Sequence, residues 1–261
     1  MSENADPIKI LWTGGWDSTF RLLQAVLMEH KCIQPYYLRE HERRSSDIEI
    51  STMDLIKEEL FSRYPNTNGC ILPTIIFNVE DIKPCEEISE SYRAIASRIH
   101  LGSQFDWLAR FCRHHNIEHM ELCIESGGTN RINRELMARF KTDAPELDEK
   151  YSDSDIYTTF QYYRFPLIET TKLEMADIAR KNGFSDLMNM TWFCHAPIND
   201  LPCGKCNPCV AVMRDGLVWR IPTAGKIRYY RRIASDSIKD RLRRFPAIHQ
   251  FFKNLKESIR S

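Results

Sequence analysis

The sequence lacks an exported protein's leader and any long apolar run. Its start, "MSENADP", is polar and acidic, and no apolar stretch approaches the roughly 20 residues of a membrane-spanning helix. No lysine follows the first glycine pair as in a Walker A loop, and no GxGxxG run is present. These absences predict a cytoplasmic protein with no membrane partner, and they exclude two common nucleotide-binding motifs.

Charge is balanced in total but uneven along the chain. The 261 residues are 43% hydrophobic, enough for a core of ordinary size, and the net charge is zero. From residue 226 to the end, however, the chain contains 11 Lys or Arg and only three Asp or Glu, so this segment has a net charge of +8. We expect a large domain at 1–220 and a basic, mostly helical C-terminal extension at 221–261.

Short β-type runs alternate with helical patterns over the first half of the chain. "IKILW", "CIQPYYL", "ILPTIIFNV" and "HMELCIE" are typical of strands, the last of them buried, and helical stretches separate them. A capped helix is expected at "TKLEMADIARKNG", ending at Gly183. This alternation predicts an α/β fold with a doubly wound, Rossmann-like parallel sheet.

The first strand leads into a glycine-containing turn. In parallel α/β sheets, the first such turn is where phosphates meet backbone N–H groups and the positive end of a helix. Gly14 and Gly15 permit close approach of an anion, and Asp17 could cap the helix or hold Mg²⁺. A plain glycine turn is the alternative. The candidate nucleotide-binding residues are Trp12, Thr13, Gly14, Gly15, Trp16, Asp17, Ser18 and Thr19.

This turn, "TGGWDST", resembles the SGGxDS signature of the PP-loop ATP pyrophosphatases. The resemblance implies a PP-loop or adenine nucleotide alpha hydrolase-like fold, in which ATP is cleaved between its α and β phosphates. AMP then passes to an oxygen of the acceptor, while the loop holds pyrophosphate. ATP and Mg²⁺ are therefore the expected cofactors, with Asp17 and Ser18 in catalytic roles.

Four of the nine cysteines are clustered as C-x8-C-x2-C-x2-C in "CHAPINDLPCGKCNPC". Cys194, Cys203, Cys206 and Cys209 have the spacing of a closed tetrahedral zinc site, and Zn²⁺ is the expected ion. An iron–sulfur cluster and a redox dithiol are the alternatives. A site with four protein ligands leaves no open position on the ion, so its role would be structural.

The glycine turn and the cysteine cluster together resemble the 7-cyano-7-deazaguanine synthase family of queuosine biosynthesis. "FPLIETTKLEMADIA", "MTWFCH" and "CNPCVAVMRDGL" extend the match across most of residues 8–218. The chain departs from the family at "YLREHERR", which replaces a Tyr-Gly-Gln-Arg-His run, and at "LGSQ", which replaces a Pro-Gly-Arg-Asn loop.

This second resemblance implies an ATP-dependent C–N ligase. It would activate a 7-carboxy-7-deazaguanine-like acid as an acyl adenylate for attack by ammonia, giving an amide or a nitrile. Lys172, and also Arg39 or Arg43, could offset charge on the phosphates, with a solvated surface role as the alternative for each.

Two other functions remain open at this stage. The acyl adenylate could pass to an amine of a protein partner, as in specialised antiphage-defence relatives. Alternatively, the chain could be a non-catalytic, zinc-stabilised nucleotide-binding module. The basic extension could pack on its own domain, dock to an acidic protein or, least favoured, contact nucleic acid. A homodimer is the oligomer left open.

Overall fold

The computed structural model describes residues 6–41, 43, 45–126 and 131–243, and these residues form an α/β fold. The strands are β1 (Ile8–Leu11), β2 (Ile33–Arg39), β3 (Ile75–Asn78), β4 (Met120–Glu121) and β5 (Tyr163–Arg164). The helices are α1 (Trp16–Leu23), α2 (Ser46–Arg63), α3 (Glu86–Ala96), α4 (Gln104–His114), α5 (Arg131–Met137), α6 (Asp155–Phe160), α7 (Lys172–Lys181), α8 (Ser185–Asn189), α9 (Asn207–Arg214) and α10 (Thr223–Arg243). A π-helical turn, Gln24–Met28, continues α1.

All strand pairings are parallel, and the order across the sheet is β3-β2-β1-β4-β5. The chain first moves outward from β1 to β3 and then crosses back to β4 and β5 on the other side of β1. The direction of winding therefore reverses between β1 and β4, which leaves a crevice at their carboxyl ends. The expected α/β class is confirmed, and the five-stranded parallel sheet is consistent with a Rossmann-like fold.

The helices of this sheet fall into two groups by their mutual contacts. α3, α4 and α6 contact one another, whereas α7 and α8 contact α1, and α8 also contacts α2. Crossovers between parallel strands are right-handed. Crossovers that run from β1 towards β3 therefore place their helices on one face of the sheet, and crossovers that run towards β5 place theirs on the other face. Each face of the sheet is therefore covered by helices.

Helix α1 carries a buried arginine that pairs with the central sheet. Arg21 is 6% exposed, and its Nε and Nη2 donate to the two carboxylate oxygens of Glu121 at 2.7 and 2.9 Å. Its guanidinium also pairs with Glu29. Burial alone lowers the pKa of Arg21, but the hydrogen bonds to Glu121 and Glu29 outweigh this effect and hold the pKa above its usual value. α1 is thereby fixed to β4.

The described residues divide into two compact units, one ending at Phe193 and the other beginning at Cys194. The four clustered cysteines lie in the second unit together with α9 and α10. The sequence prediction instead put these cysteines in the first domain, with a boundary at residue 220. Among the helices of the described ranges, none combines the length and the apolarity needed to cross a membrane.

We predict that Arg21→Gln destabilises the chain by about 3–5 kcal/mol, because Glu121 is then left buried without its cation. Urea unfolding at neutral pH measures the loss. Arg180→Gln is the matched control, since Arg180 forms an exposed pair with Asp177 and should cost less than about 1 kcal/mol. Equal effects of the two substitutions would contradict a structural role for the buried pair.

Candidate functional site

Helix α2 packs closely against the turn between β1 and α1. Gly14 has a positive φ of 65°, and a Cβ there would lie 3.1 Å from the carbonyl oxygen of Glu49 and 3.3 Å from Cγ of Met53. The backbone N–H of Trp192 donates to the carbonyl oxygen of Gly14 at 2.9 Å. Both the backbone angle and the close packing therefore require glycine at position 14.

The side chains of this turn divide into a buried set and an accessible set. The buried residues are Trp12, Trp16, Ser18 and Thr19. Indole Nε1 of Trp12 donates to Oγ1 of Thr19 at 2.9 Å, so these two side chains bind each other in the core. Thr13 is exposed, and Gly15 and Asp17 are half-buried. Of the predicted nucleotide-binding residues, Thr13, Gly15 and Asp17 are the ones a ligand can reach most directly.

Lys172 lies beside Asp17, although 154 residues separate them in the sequence. Nζ of Lys172 lies 3.9 Å from Oδ2 of Asp17 and donates to Oε1 of Glu125 at 2.9 Å. Lys172 is the first residue of α7, whose N-terminus is fixed by a capping box between Thr171 and Glu174. The structure thus brings together the predicted residues Asp17 and Lys172.

Glu125 was not predicted as a site residue. It follows β4 at the carboxyl end of the sheet, and its carbonyl oxygen accepts a hydrogen bond from Nδ2 of Asn133 at 2.6 Å. The signal available in the sequence was an acid directly after a buried strand and before the "SGG" turn. Residues 127–130, which include most of that turn, lie outside the described part of the chain. Asp17 and Glu125 together offer carboxylate oxygens, the ligands that Mg²⁺ prefers.

The two candidate arginines after β2 are both engaged in ion pairs. Arg39 Nη2 lies 2.7 Å from Oδ1 of Asp47, and Arg43 Nη2 lies 2.7 Å from Oε1 of the buried Glu49. Glu49 also accepts a hydrogen bond from the hydroxyl of Tyr37. In this structure Arg43 neutralises Glu49 in the helix beneath the glycine turn, which is a structural role that the sequence analysis did not anticipate.

In the second unit, the four clustered cysteines converge as predicted. Their sulfurs all lie within 4.8 Å of one another, with Sγ···Sγ distances of 3.8 Å for Cys203 and Cys209 and 3.9 Å for Cys194 and Cys206. Zn–S bonds of about 2.3 Å in tetrahedral geometry separate two sulfurs by about 3.8 Å. The donor set and its spacing therefore fit a metal ion such as zinc.

The protein surrounds these sulfurs with backbone donors. The N–H groups of Lys205 and Cys206 point to Sγ of Cys203 at 3.4 and 3.3 Å, and the N–H of Cys203 donates to Sγ of Cys194 at 3.2 Å. Burial raises the pKa of the Cys194 thiol. A bound dication would reverse that effect, because it favours the thiolate form. The N–H groups would then stabilise the bound thiolates.

Helix α10 packs directly on the cysteine loop. Gly204 has a φ of 76°, and a Cβ there would overlap the carbonyl oxygen of Gly225, in the first turn of α10. Nε of Arg228 donates to the carbonyl oxygen of Cys203 at 2.8 Å, and Arg232 donates to that of Lys205. At least the first half of the basic extension is therefore part of the same compact unit as the cysteines.

Comparison of the chain with protein-family models gives no match, and comparison with curated proteins gives none either. The assignment of a reaction consequently depends on the residues and the geometry described above.

We predict one equivalent of zinc per chain in the purified protein. Cys206→Ser should lower the zinc content to below about a tenth of an equivalent, because a hydroxyl replaces one of four thiolate ligands. Elemental analysis by mass spectrometry measures it, with Cys32→Ser as the control outside the cluster. An iron–sulfur absorption band, or zinc that persists in Cys206→Ser, would contradict the assignment.

We further predict that Gly204→Ala releases the metal at lower chelator concentrations than the wild type, because its Cβ cannot fit against Gly225. Gly69→Ala is the matched control, since Gly69 also has a positive φ, 86°, but a Cβ there meets no atom within 4 Å. Both substitutions place a side chain at a positive φ, but only the one at Gly204 lies in the cysteine loop and meets the backbone of Gly225. Identical chelator sensitivity of the two variants would refute this account.

Proposed function

We propose that the first unit binds ATP at the turn after β1, cleaves it between the α and β phosphates, and transfers AMP to a carboxylate. The observation that supports this best is the meeting of the glycine turn, Asp17 and Lys172 beside the crevice between β1 and β4. Crevices of this kind are where open α/β sheets bind their ligands. The sequence resemblance to PP-loop enzymes concerns the same residues.

Each residue then has a defined task. The backbone of Gly15 and the first turn of α1 present N–H groups and a partial positive charge to the phosphates. Lys172 adds a full positive charge where negative charge develops on the departing pyrophosphate. Asp17 and Glu125 would hold Mg²⁺, which neutralises phosphate charge when it is bound. Without nucleotide, these two carboxylates keep the Lys172 ammonium in place.

The acceptor proposed is a 7-deazaguanine carboxylate such as 7-carboxy-7-deazaguanine, with ammonia as nucleophile. A carboxylate resists nucleophiles, because it is anionic and its oxygen is a poor leaving group, whereas AMP leaves readily. Attack of ammonia on the acyl adenylate gives the amide and releases AMP. Activation of the amide by a second ATP would lead to the nitrile. The acceptor is proposed from the sequence resemblance to the 7-cyano-7-deazaguanine synthase family.

The four-cysteine centre has a structural task in this scheme. With four thiolates around it, a zinc ion has no open position for substrate or water. It would instead fix the cysteine loop, on which α10 packs. We therefore assign the chemistry to the first unit and the metal-dependent folding to the second.

We predict that Asp17→Asn and Lys172→Ala each lower pyrophosphate release from ATP by about 100-fold or more, because the first removes a proposed Mg²⁺ ligand and the second removes the cation beside the phosphates. The assay contains ATP, Mg²⁺, 7-carboxy-7-deazaguanine and ammonia. Asp177→Asn is the control, since Asp177 lies on α7 but pairs with Arg180 at the surface. Wild-type release by either site variant would exclude this turn as the nucleotide site.

Mass spectrometry of the same reaction separates the remaining functions. An amide or nitrile product supports the ligase with ammonia as nucleophile. Formation of AMP together with a mass adduct on an added protein partner indicates transfer to a protein amine instead. ATP binding without any pyrophosphate release indicates a non-catalytic nucleotide-binding module.

A further inference from the structure

A cavity lies between α3, α5 and the start of α6, and none of the residues of the nucleotide turn lines it. It has a volume of about 620 Å³, within the range of small-molecule sites. Its apolar part is formed by Ile95, Ile99 and Ile156, two of which are fully or almost fully buried. Four arginines surround this apolar part: Arg98, Arg131, Arg134 and Arg139.

The charges around this cavity do not cancel. Arg98 pairs with Asp155 at 3.1 Å, and Arg139 pairs with Glu135 at 2.8 Å. Within the described residues, Arg131 and Arg134 form no ion pair, and Asp153 is the one further acid that lines the cavity. A net positive charge therefore remains beside an apolar surface.

The placement of the two unpaired arginines is unfavourable for α5 itself. Arg131, Arg134, Glu135 and Ala138 follow the i, i+3, i+4, i+7 spacing, so one face of this helix lines the cavity. Two like charges three residues apart on a helix repel each other. This repulsion is offset if an anion binds between the two guanidinium groups.

We propose that this cavity binds a small organic anion with a planar or apolar body, held by Arg131 and Arg134 through its carboxylate or phosphate group. Guanidinium groups bind both kinds of anion in a bidentate manner, and the half-buried Ile99 and the exposed Ala138 offer apolar surface to the body of the ligand. The site is distinct from the nucleotide turn. On α5, Asn133 faces the other way and donates to the backbone of Glu125, so the same helix contacts both places.

Isothermal titration calorimetry with benzoate and with phenyl phosphate tests this site, and benzamide serves as the neutral analogue. The wild type should bind at least one of the anions at one site per chain and bind benzamide at least tenfold more weakly. The stronger of the two anions identifies the ligand as a carboxylate or a phosphate. If neither anion binds at concentrations up to about 10 mM, the proposal is overturned, because even a ligand this small should bind a specific site with a lower dissociation constant.

The double variant Arg131→Gln with Arg134→Gln should weaken anion binding at least tenfold, since each charge-assisted pair contributes about that much. Arg180→Gln should bind as the wild type does. If the double variant does not fold, Arg134→Lys replaces it in the test, because a lysine keeps the charge but cannot bind the anion in a bidentate manner. Undiminished binding by the folded double variant, or by Arg134→Lys, overturns the proposal. Asp17→Asn should retain anion binding, which keeps this test independent of the proposed reaction with ATP.

Discussion

The buried pair between Arg21 and Glu121 is the interaction on which the arrangement of the first unit depends. It joins α1 to β4 across the position where the winding of the sheet reverses. Asp17 lies one helical turn before Arg21, and Glu125 follows Glu121 by four residues. A shift of α1 along the sheet would leave a charge buried and unpaired, which costs several kcal/mol. The pair therefore fixes the register that brings Asp17 towards Glu125 and Lys172.

The two units use different means to hold their loops. In the first, helix packing and buried hydrogen bonds fix the glycine turn, with α2 below Gly14 and Trp12 bound to Thr19. In the second, the cysteine loop brings together four buried or half-buried sulfurs, and a bound dication would hold them as thiolates. The first loop is thus pre-formed for a ligand, whereas the second would gain its stability from its ligand.

Local patterns were sufficient to predict β1, β2, α7 and the cysteine cluster, because alternation, capping and spacing are visible within a few residues. β5 was missed, since two residues carry no periodicity and their pairing with β4 depends on distant sequence. The contact between Lys172 and Glu125 was missed for the same reason, because it forms only when α7 and the end of β4 meet in the folded chain. For Arg43 the sequence left a phosphate contact and a surface role open, and its pairing with the buried Glu49 was not foreseen because Glu49 lies in the next helix.

The central claim is that the turn after β1 cleaves ATP at the α phosphate. In the test, the protein is incubated with ATP radiolabelled at the α phosphate, the carboxylate acceptor, ammonia and Mg²⁺, and the labelled nucleotides are then separated. We expect labelled AMP to form in step with pyrophosphate and to be lost in Asp17→Asn. Labelled ADP with release of inorganic phosphate, or AMP formation that is unchanged in Asp17→Asn, would contradict it.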